Sequence, residues 1–549
     1  MQDFIKAYKA AIKFKLTKEQ LSNFLEIKPK TLDRKRQKIQ QDIGLTLPQL
    51  TSDKEAGVEI PLDTLTEFEN ELDENIKYFK SQSIQKKKRY VVTSAQMSTP
   101  INKDFLLTLE LYCKENDAQL IVIPFRYNNP TSIWSTGSSK KEYIAPELTD
   151  YVLTEHVQIT PMLHILGDTK IVPTAIQPIH GIDSLTGNAS GIVGHPKVQL
   201  TTIPTPSKDL PKIMASTGTV TIPNYIPSKA GKRAEFHHSF SAIVVEIEDN
   251  NRGFHMRHMH YDDKDGMYDL DKLYTKKKSK KYGRVPILVM GDIHAVFIDK
   301  DVEAATLTNK DSICNVLKPE KIVLGDVHDG NAKNTHEWGN EIIEFGKHHF
   351  GRGNIQEELQ ISANFIDLTS SYTKDVYIVK SNHDEQIDRY LASYNPKSDP
   401  ENAAFYYYMK YHQMKSVHIN ETGFSSFDPF EFWCRNPESG KGLQSKNVTF
   451  LTRDDTLHSF DYMLHYHGDK GPNGSRGSLK GLAKMGTPVI VGHSHSPAIY
   501  ENSIQVGTSS RLDLSYAKGS PSSWLNSHCI IYPNSKATLI NIIDGKWRI

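Results

Sequence analysis

Five short segments in the C-terminal half of the chain end on Asp, Asn or His, and each follows a run of apolar, β-prone residues. Residues 285–290 (VPILVM) lead into Gly291, Asp292, Ile293 and His294. Residues 321–324 (KIVL) lead into Gly325, Asp326, Val327, His328 and Asp329. Residues 375–379 (DVYIV) precede Ser381, Asn382, His383 and Asp384, and residues 487–491 (TPVIV) precede Gly492, His493, Ser494 and His495. The fifth run, 462–466 (YMLHY), precedes His467, Gly468 and Asp469. A buried strand that gives way at once to a polar side chain is the pattern of an α/β sheet at its carboxyl edge, where the ligand crevice lies. Glycine directly before the polar residue lets the chain turn sharply. The intervening stretches 340–369 and 385–415 are long enough for crossover helices. The pattern therefore predicts one sheet edge bearing several Asp, Asn and His side chains.

That mixture of donors suits a pair of divalent cations. Two ions about 3.5–4 Å apart clamp the attacking and leaving oxygens of a phosphoryl displacement and lower the pKa of a bound water toward about 7. A carboxylate holds such a pair together, while imidazole and amide oxygen complete the shells without excess negative charge. Mixed oxygen and nitrogen donors suit manganese, iron or zinc better than calcium.

The series DxH, GDxxD, NHD, HGD and GHxH, in that order, resembles the calcineurin-like metallophosphoesterase superfamily across residues 285–549. The resemblance implies a β-sandwich flanked by helices. It places Asp292, His294 and His495 on the first metal and Asn382, His467 and His493 on the second, with Asp326 bridging them. It further implies that His383 faces the scissile phosphate and protonates or stabilises the leaving oxygen, that Asp384 orients His383, and that Asp329 is a supporting carboxylate. Ser381 stands where the superfamily usually has glycine, a departure expected to shift that loop slightly. His465 competes with His467 for the fourth motif, and His467 fits better because HGD follows the strand. The implied cofactor is two divalent ions, Mn²⁺ foremost, with Mg²⁺, Fe²⁺ or Zn²⁺ as alternatives.

Phosphoprotein phosphatases of that superfamily carry arginines in GDxVDRG and RGNHE that grip a phosphomonoester. The corresponding segments here, GDVHDGN and KSNHDE, have none, and NHD in place of NHE leans toward the nucleases. The expected activity is a metal-dependent DNase. A phosphatase or small-nucleotide phosphodiesterase is the second reading, and a DNA-binding or scaffolding protein with structural metals is the third. The whole chain also resembles the pre-early host-DNA-degradation proteins of T-odd-type coliphages, which implies a phage-encoded enzyme acting in the infected bacterial cytoplasm.

At 549 residues the chain exceeds one ordinary core, so several domains are expected. Residues 1–45 read as a helix-turn-helix-like unit: Thr17 suits a cap, Pro29 a first helical turn, and the second helix is basic. Lys30, Arg34, Lys35, Arg36 and Lys38 are the candidate DNA contacts, against the plain alternative of a solvated charged face. Residues 46–89 read as an acidic helix and linker, and 90–280 as a mixed α/β domain of unassigned role that opens with a βαβ unit. HMRHMH at 255–260 is read as structural or surface histidine rather than a metal site. A net charge of +1 means that any electrostatic footprint on DNA is local. Four scattered cysteines fit a reducing compartment, and no signal-peptide core or membrane-spanning run is visible, so a cytoplasmic protein is expected. Homo-oligomerisation is left open.

Overall fold

The computed structural model describes residues 2–13, 16–25, 27–43, 47–50, 81–127, 143–206, 209–249, 253–419, 427–514 and 518–549. Most of the acidic helix expected within 46–89 lies outside the described residues. The architecture is α/β. Its organising element is a six-stranded sheet with the spatial order Val448–Leu451, Asp375–Val379, Lys321–Gly325, Ile287–Val289, Ser527–Ile531 and Ala537–Asn541. The first four strands run parallel and the last two antiparallel.

Parallel neighbours need crossovers, and the chain supplies helices for them. Between the second and third parallel strands in sequence runs the helix Ile355–Ser370. Asn354 caps it by accepting from the Glu357 amide, and Ile355, Leu359, Ala363 and Ile366 recur at helical spacing along its buried face. That face meets Phe405, Phe430 and Trp433, all at most 1% exposed, in one core with Leu288, Ile322 and Ile378. Full burial of each such side chain stabilises the fold by about 1.5–3 kcal/mol.

The opposite face of the sheet, carrying Val289, Val323, Val379 and Leu451, packs against a second sheet of eight strands. This second sheet draws its strands from both sides of residue 285. His195–Ile203 pairs with Ala498–Tyr500 in antiparallel register, Leu200 opposite Ile499. A third, seven-stranded sheet opens with the expected βαβ unit: parallel strands Arg89–Gln96 and Ala118–Phe125 joined by the helix Lys103–Glu115. Its Tyr90, Val92, Ile243 and Val245 enter the same core as the second sheet. Residues 90–280 and 285–549 therefore share a core instead of standing apart.

On the central strand of the third sheet, Phe254–Asp262, Arg257 is buried and forked onto Asp269 at 2.6 and 2.8 Å, and lies 3.2 Å from Glu246. Glu246 also accepts from the backbone amide of Ile549 at 3.2 Å, which ties the last residue to this region. No helix among the described residues is long and apolar enough to cross a membrane.

Candidate metal centre

Three of the four parallel strands stop at a candidate ligand. Ile287–Val289 runs to Asp292 and His294, Lys321–Gly325 to Asp326, and Asp375–Val379 to Asn382 and His383. The loops are stitched to one another through the backbone: Ile293 N donates to Gly325 O at 3.1 Å and His294 N to Asp326 O at 2.7 Å. From the neighbouring part of the chain, Gly492 N donates to His467 O at 2.7 Å. His294, Asp326, His493 and His495 all have positive φ, between 46° and 74°. Non-glycine residues hold this region at a cost of about 1–3 kcal/mol each, and such strain is found clustered at active sites. Gly492 stands where a side chain would fail, since a Cβ there would lie 2.0 Å from Asp292 Oδ1.

The side chains converge. His294 Nε2 lies 3.0 Å from His495 Nε2 and 3.6 Å from Asp326 Oδ2. His495 Nε2 lies 3.3 Å from Asp292 Oδ2, and His467 Nε2 lies 3.1 Å from Asp326 Oδ2 without the alignment of a hydrogen bond. Two triads of donor atoms, each within 4.8 Å, share Asp326: one with His294 and His383, the other with Asp292 and His467. His493 joins through its backbone amide, which donates to Asp292 Oδ2 at 2.6 Å, and its ring stands 5.4 Å from that of His467.

The donor set fits divalent cations. Imidazole and carboxylate ligands bind a metal at about 2.0–2.2 Å, so neighbouring ligands lie roughly 3 Å apart. Both oxygens of Asp326, Oδ1 of Asn382, Nδ1 of His495 and Nε2 of His467 are buried without a hydrogen-bond partner. Burying a carboxylate with neither donor nor counterion costs several kcal/mol. His294 is prepared as a ligand: its Nδ1 donates to Asp329 Oδ1 at 2.7 Å, which leaves Nε2 facing the cluster.

The electrostatics point the same way. Burial, helped by the neighbouring Asp326 carboxylate, raises Asp292 to about 7, whereas for Asp326 the His467 and His383 imidazoles outweigh burial and hold the carboxyl well below its ordinary range. Burial disfavours charge on His294 and His467, yet the hydrogen bond that His294 donates to Asp329 and the Asp326 carboxylate beside His467 push both up to about 9. Burial and neighbouring imidazoles lower His493 and His495. The buried carboxylates thus favour positive charge on the two imidazoles beside them, His294 and His467.

Two sequence expectations need correction. Asp384 does not orient His383. Its carboxylate accepts from Ser381 N, Ser381 Oγ and His328 N at 3.1, 2.9 and 3.2 Å. The group that holds His383 is Asp329, whose backbone carbonyl accepts from His383 Nδ1 at 2.8 Å and whose carboxylate lies 3.5 Å from the same atom. A carbonyl only accepts, so Nδ1 carries the proton and Nε2 is left for a ligand or substrate. The serine in the glycine position explains why Asp384 is occupied: Ser381 Oγ also accepts from the Asp384 amide at 3.1 Å, closing a local turn.

The second correction lies in the N-terminal helices, Lys18–Phe24 and Pro29–Ile43. Lys35 is 7% exposed, with its ammonium 5.7 Å from the Phe4 ring, and burial lowers its pKa to about 8. It belongs to the small core that also holds Leu32 and Ile39, not to the outer face. Arg36 donates to the Leu47 carbonyl at 3.2 Å, whereas Lys30, Arg34 and Lys38 are exposed.

Other residues near the centre escaped sequence reasoning. The Trp524 ring stands 4.5 Å from that of His495. Buried His528 accepts from Gly291 N at 2.9 Å and so fixes the turn before Asp292. Arg453 follows the fourth parallel strand, whose sequence VTFL was signal enough to place it at this edge. His465 is engaged with the Leu457 backbone, outside the cluster that holds His467. In HMRHMH, His258 bonds the Ser216 carbonyl at 2.8 Å and is a core histidine.

No protein-family model matches the chain, and no solved structure matches it. A curated protein does: Protein A1 of Escherichia phage T5 is 30% identical over 470 residues, covering 84% of this chain and 83% of that protein. The chain belongs to the family of phage T5 Protein A1.

Proposed function

We propose that this chain is a metallophosphoesterase of the calcineurin-like type that hydrolyses DNA phosphodiesters in the infected bacterial cytoplasm. The observation that carries the reading is the shared Asp326, with both oxygens unpartnered between two triads of donors that are buried except for His383. Asp292, His294 and His495 would hold one ion and Asn382, His467 and His493 the other, with Asp326 common to both and Mn²⁺ the expected metal. Two such ions supply Lewis-acid neutralisation of the phosphoryl group. The protein's own part is to fix the ligands and aim His383. That side chain is 22% exposed, and in its protonated form it would donate to the leaving oxygen through Nε2.

The preference for a diester rests on the cations of the site loops. Lys380 lies 2.8 Å from Asp428 and 3.3 Å from Asp388, and Arg453 is bound by Asp469 and Glu385. Neither is free to grip the dianion of a phosphomonoester. A DNA backbone would draw instead on Lys30, Arg34 and Lys38, and binding through them weakens with salt.

The test is a panel of single- and double-stranded DNA, p-nitrophenyl phosphate and bis-p-nitrophenyl phosphate with Mn²⁺ at two salt concentrations. DNA is expected to be cut, more slowly at high salt. His383→Ala is expected to lose about 10²–10⁴-fold in rate while binding Mn²⁺ as before. Intact DNA alongside turnover of the small diester would overturn the substrate assignment.

A further inference from the structure

The fourth parallel strand, Val448–Leu451, ends at the same edge as those that deliver Asp292, Asp326 and Asn382, but it is followed by Thr452 and Arg453. Thr452 donates through its amide and hydroxyl to Asp455 at 2.7 and 2.8 Å, which fixes the turn. The Arg453 guanidinium is then forked onto Asp469, Nη1 to Oδ1 and Nη2 to Oδ2, both at 2.8 Å. Its Nε donates to Glu385 Oε1 at 2.8 Å. Asp469 lies two residues beyond His467, and Glu385 lies two beyond His383. One planar group therefore bridges two loops of the site.

On the metal-site reading above, we propose that Arg453 is a positioning residue that ties the His467 loop to the loop of Asn382 and His383, setting their separation. An isolated surface ion pair contributes little, but a bidentate fork with a second carboxylate on its Nε holds geometry as well as charge. The three side chains are only 25, 9 and 22% exposed for Arg453, Asp469 and Glu385. The His467 loop also needs such a tie. Gly468 has a φ of 117°, open to glycine, and no helix or strand holds residues 467–469. Lysine, a point charge, does not reproduce the fork.

The experiment compares full-length wild type, Arg453→Gln and Arg453→Lys for Mn²⁺ affinity by calorimetry and for kcat and KM on DNA. Arg453→Gln is expected to bind Mn²⁺ about tenfold more weakly at one site and to lose about 10–100-fold in kcat, as when a ligand's support is removed. KM for DNA should stay within about threefold, and Arg453→Lys should fall between the two. A raised KM at unchanged kcat would overturn the proposal by making Arg453 a substrate contact, and unchanged values throughout would overturn it as an idle ion pair. Should Arg453→Gln fail to fold by circular dichroism, Glu385→Gln leaves the Asp469 fork in place, removes the Nε tie together with the weaker contacts of Glu385 to Lys470 and Arg389, and is held to the same outcomes at smaller size. If wild type binds two Mn²⁺ yet cleaves no phosphoester, the reaction assignment fails by itself. The Mn²⁺ titration then decides the clip: weakened binding in Arg453→Gln upholds it, equal binding refutes it.

Discussion

Replacing Gly492 by alanine tests the metal centre through geometry alone. The new Cβ would sit 2.0 Å from Asp292 Oδ1, 2.9 Å from its Cγ and 3.1 Å from Oδ2. Ordinary carbon contacts begin at roughly 3.4–3.5 Å, so the carboxylate must retreat by roughly 1.4 Å. Metal–ligand distances tolerate about ±0.2 Å, so Asp292 cannot stay in place as a ligand. Gly492 does not occupy the left-handed region, so alanine suits its backbone and the perturbation stays at Asp292. Loss of the ligand is expected to weaken one site by at least about 100-fold, the upper end of what losing a supporting group costs. At free Mn²⁺ of about 100 times the wild-type Kd, the ion stabilises the fold by about 2.7 kcal/mol, and a 100-fold weaker site leaves about 0.4 kcal/mol. Calorimetric Mn²⁺ titration gives the affinity, and urea midpoints with Mn²⁺ and with chelator give the difference of about 2.3 kcal/mol. Without metal, overpacking of about 1–3 kcal/mol is partly offset by the roughly 0.4–1 kcal/mol that Gly→Ala gains through the unfolded chain. A Gly492→Ala protein that bound two Mn²⁺ with wild-type affinity would remove Asp292 from the ligand set.

The two aspartates beside His383 should separate by readout. Asp329→Ala is expected to weaken Mn²⁺ binding about 10–100-fold through His294, whereas Asp384→Ala should cost about 1–3 kcal/mol of stability by stranding the Ser381 and His328 amides. Calorimetry and urea melts on the same preparations distinguish the two, and the reverse pattern would contradict the assignment. Arg257→Met leaves buried Asp269 without its cation and Glu246 with Arg89 alone, and should destabilise by about 3–5 kcal/mol with Mn²⁺ affinity unchanged. A urea midpoint equal to wild type would show that the network is not coupled to folding. Burial holds His195, His238, His258 and His528 near pKa 4 in the fold, below the roughly 6.5 of an unfolded histidine. Below pH about 6.5 the unfolded chain binds more protons, so stability is full above that value and falls as pH descends toward 4. Urea midpoints in chelator at pH 7.5 and pH 5 measure the fall, and equal midpoints would refute it.

The strand-then-ligand pattern was legible because it is local: a β-branched run and the Asp or His that ends it lie within ten residues of each other. Asp292, His294, Asp326, His467 and His495 could be nominated together for that reason, and the structure brings them within reach of one another. What could not be read depends on partners far away in sequence. Nothing local announces that Leu200 pairs with Ile499, so the sheet joining the middle region to the C-terminal half is invisible in the sequence, and the boundary expected near 280–285 falls within a shared core. Lys35 is a different case. Leu32, Lys35 and Ile39 fall on one helical face at spacings of three and four, so its burial was available to periodicity but was overruled by its charge.

His383 shows where motif reasoning reaches its limit. The resemblance implies that the adjacent Asp384 orients it, yet consecutive side chains leave a turn in different directions. The bond to His383 comes instead from Asp329, at the end of another strand, which also holds His294. One residue thus orients both a candidate ligand and the candidate acid, just as one guanidinium joins the His467 and His383 loops. The local motifs place the reactive groups at the sheet edge, and long-range contacts between those motifs set the angles at which they face a substrate. Substitutions at Asp329 and Arg453 should therefore alter chemistry without touching a reacting atom, and this distinguishes a working centre from a set of buried histidines.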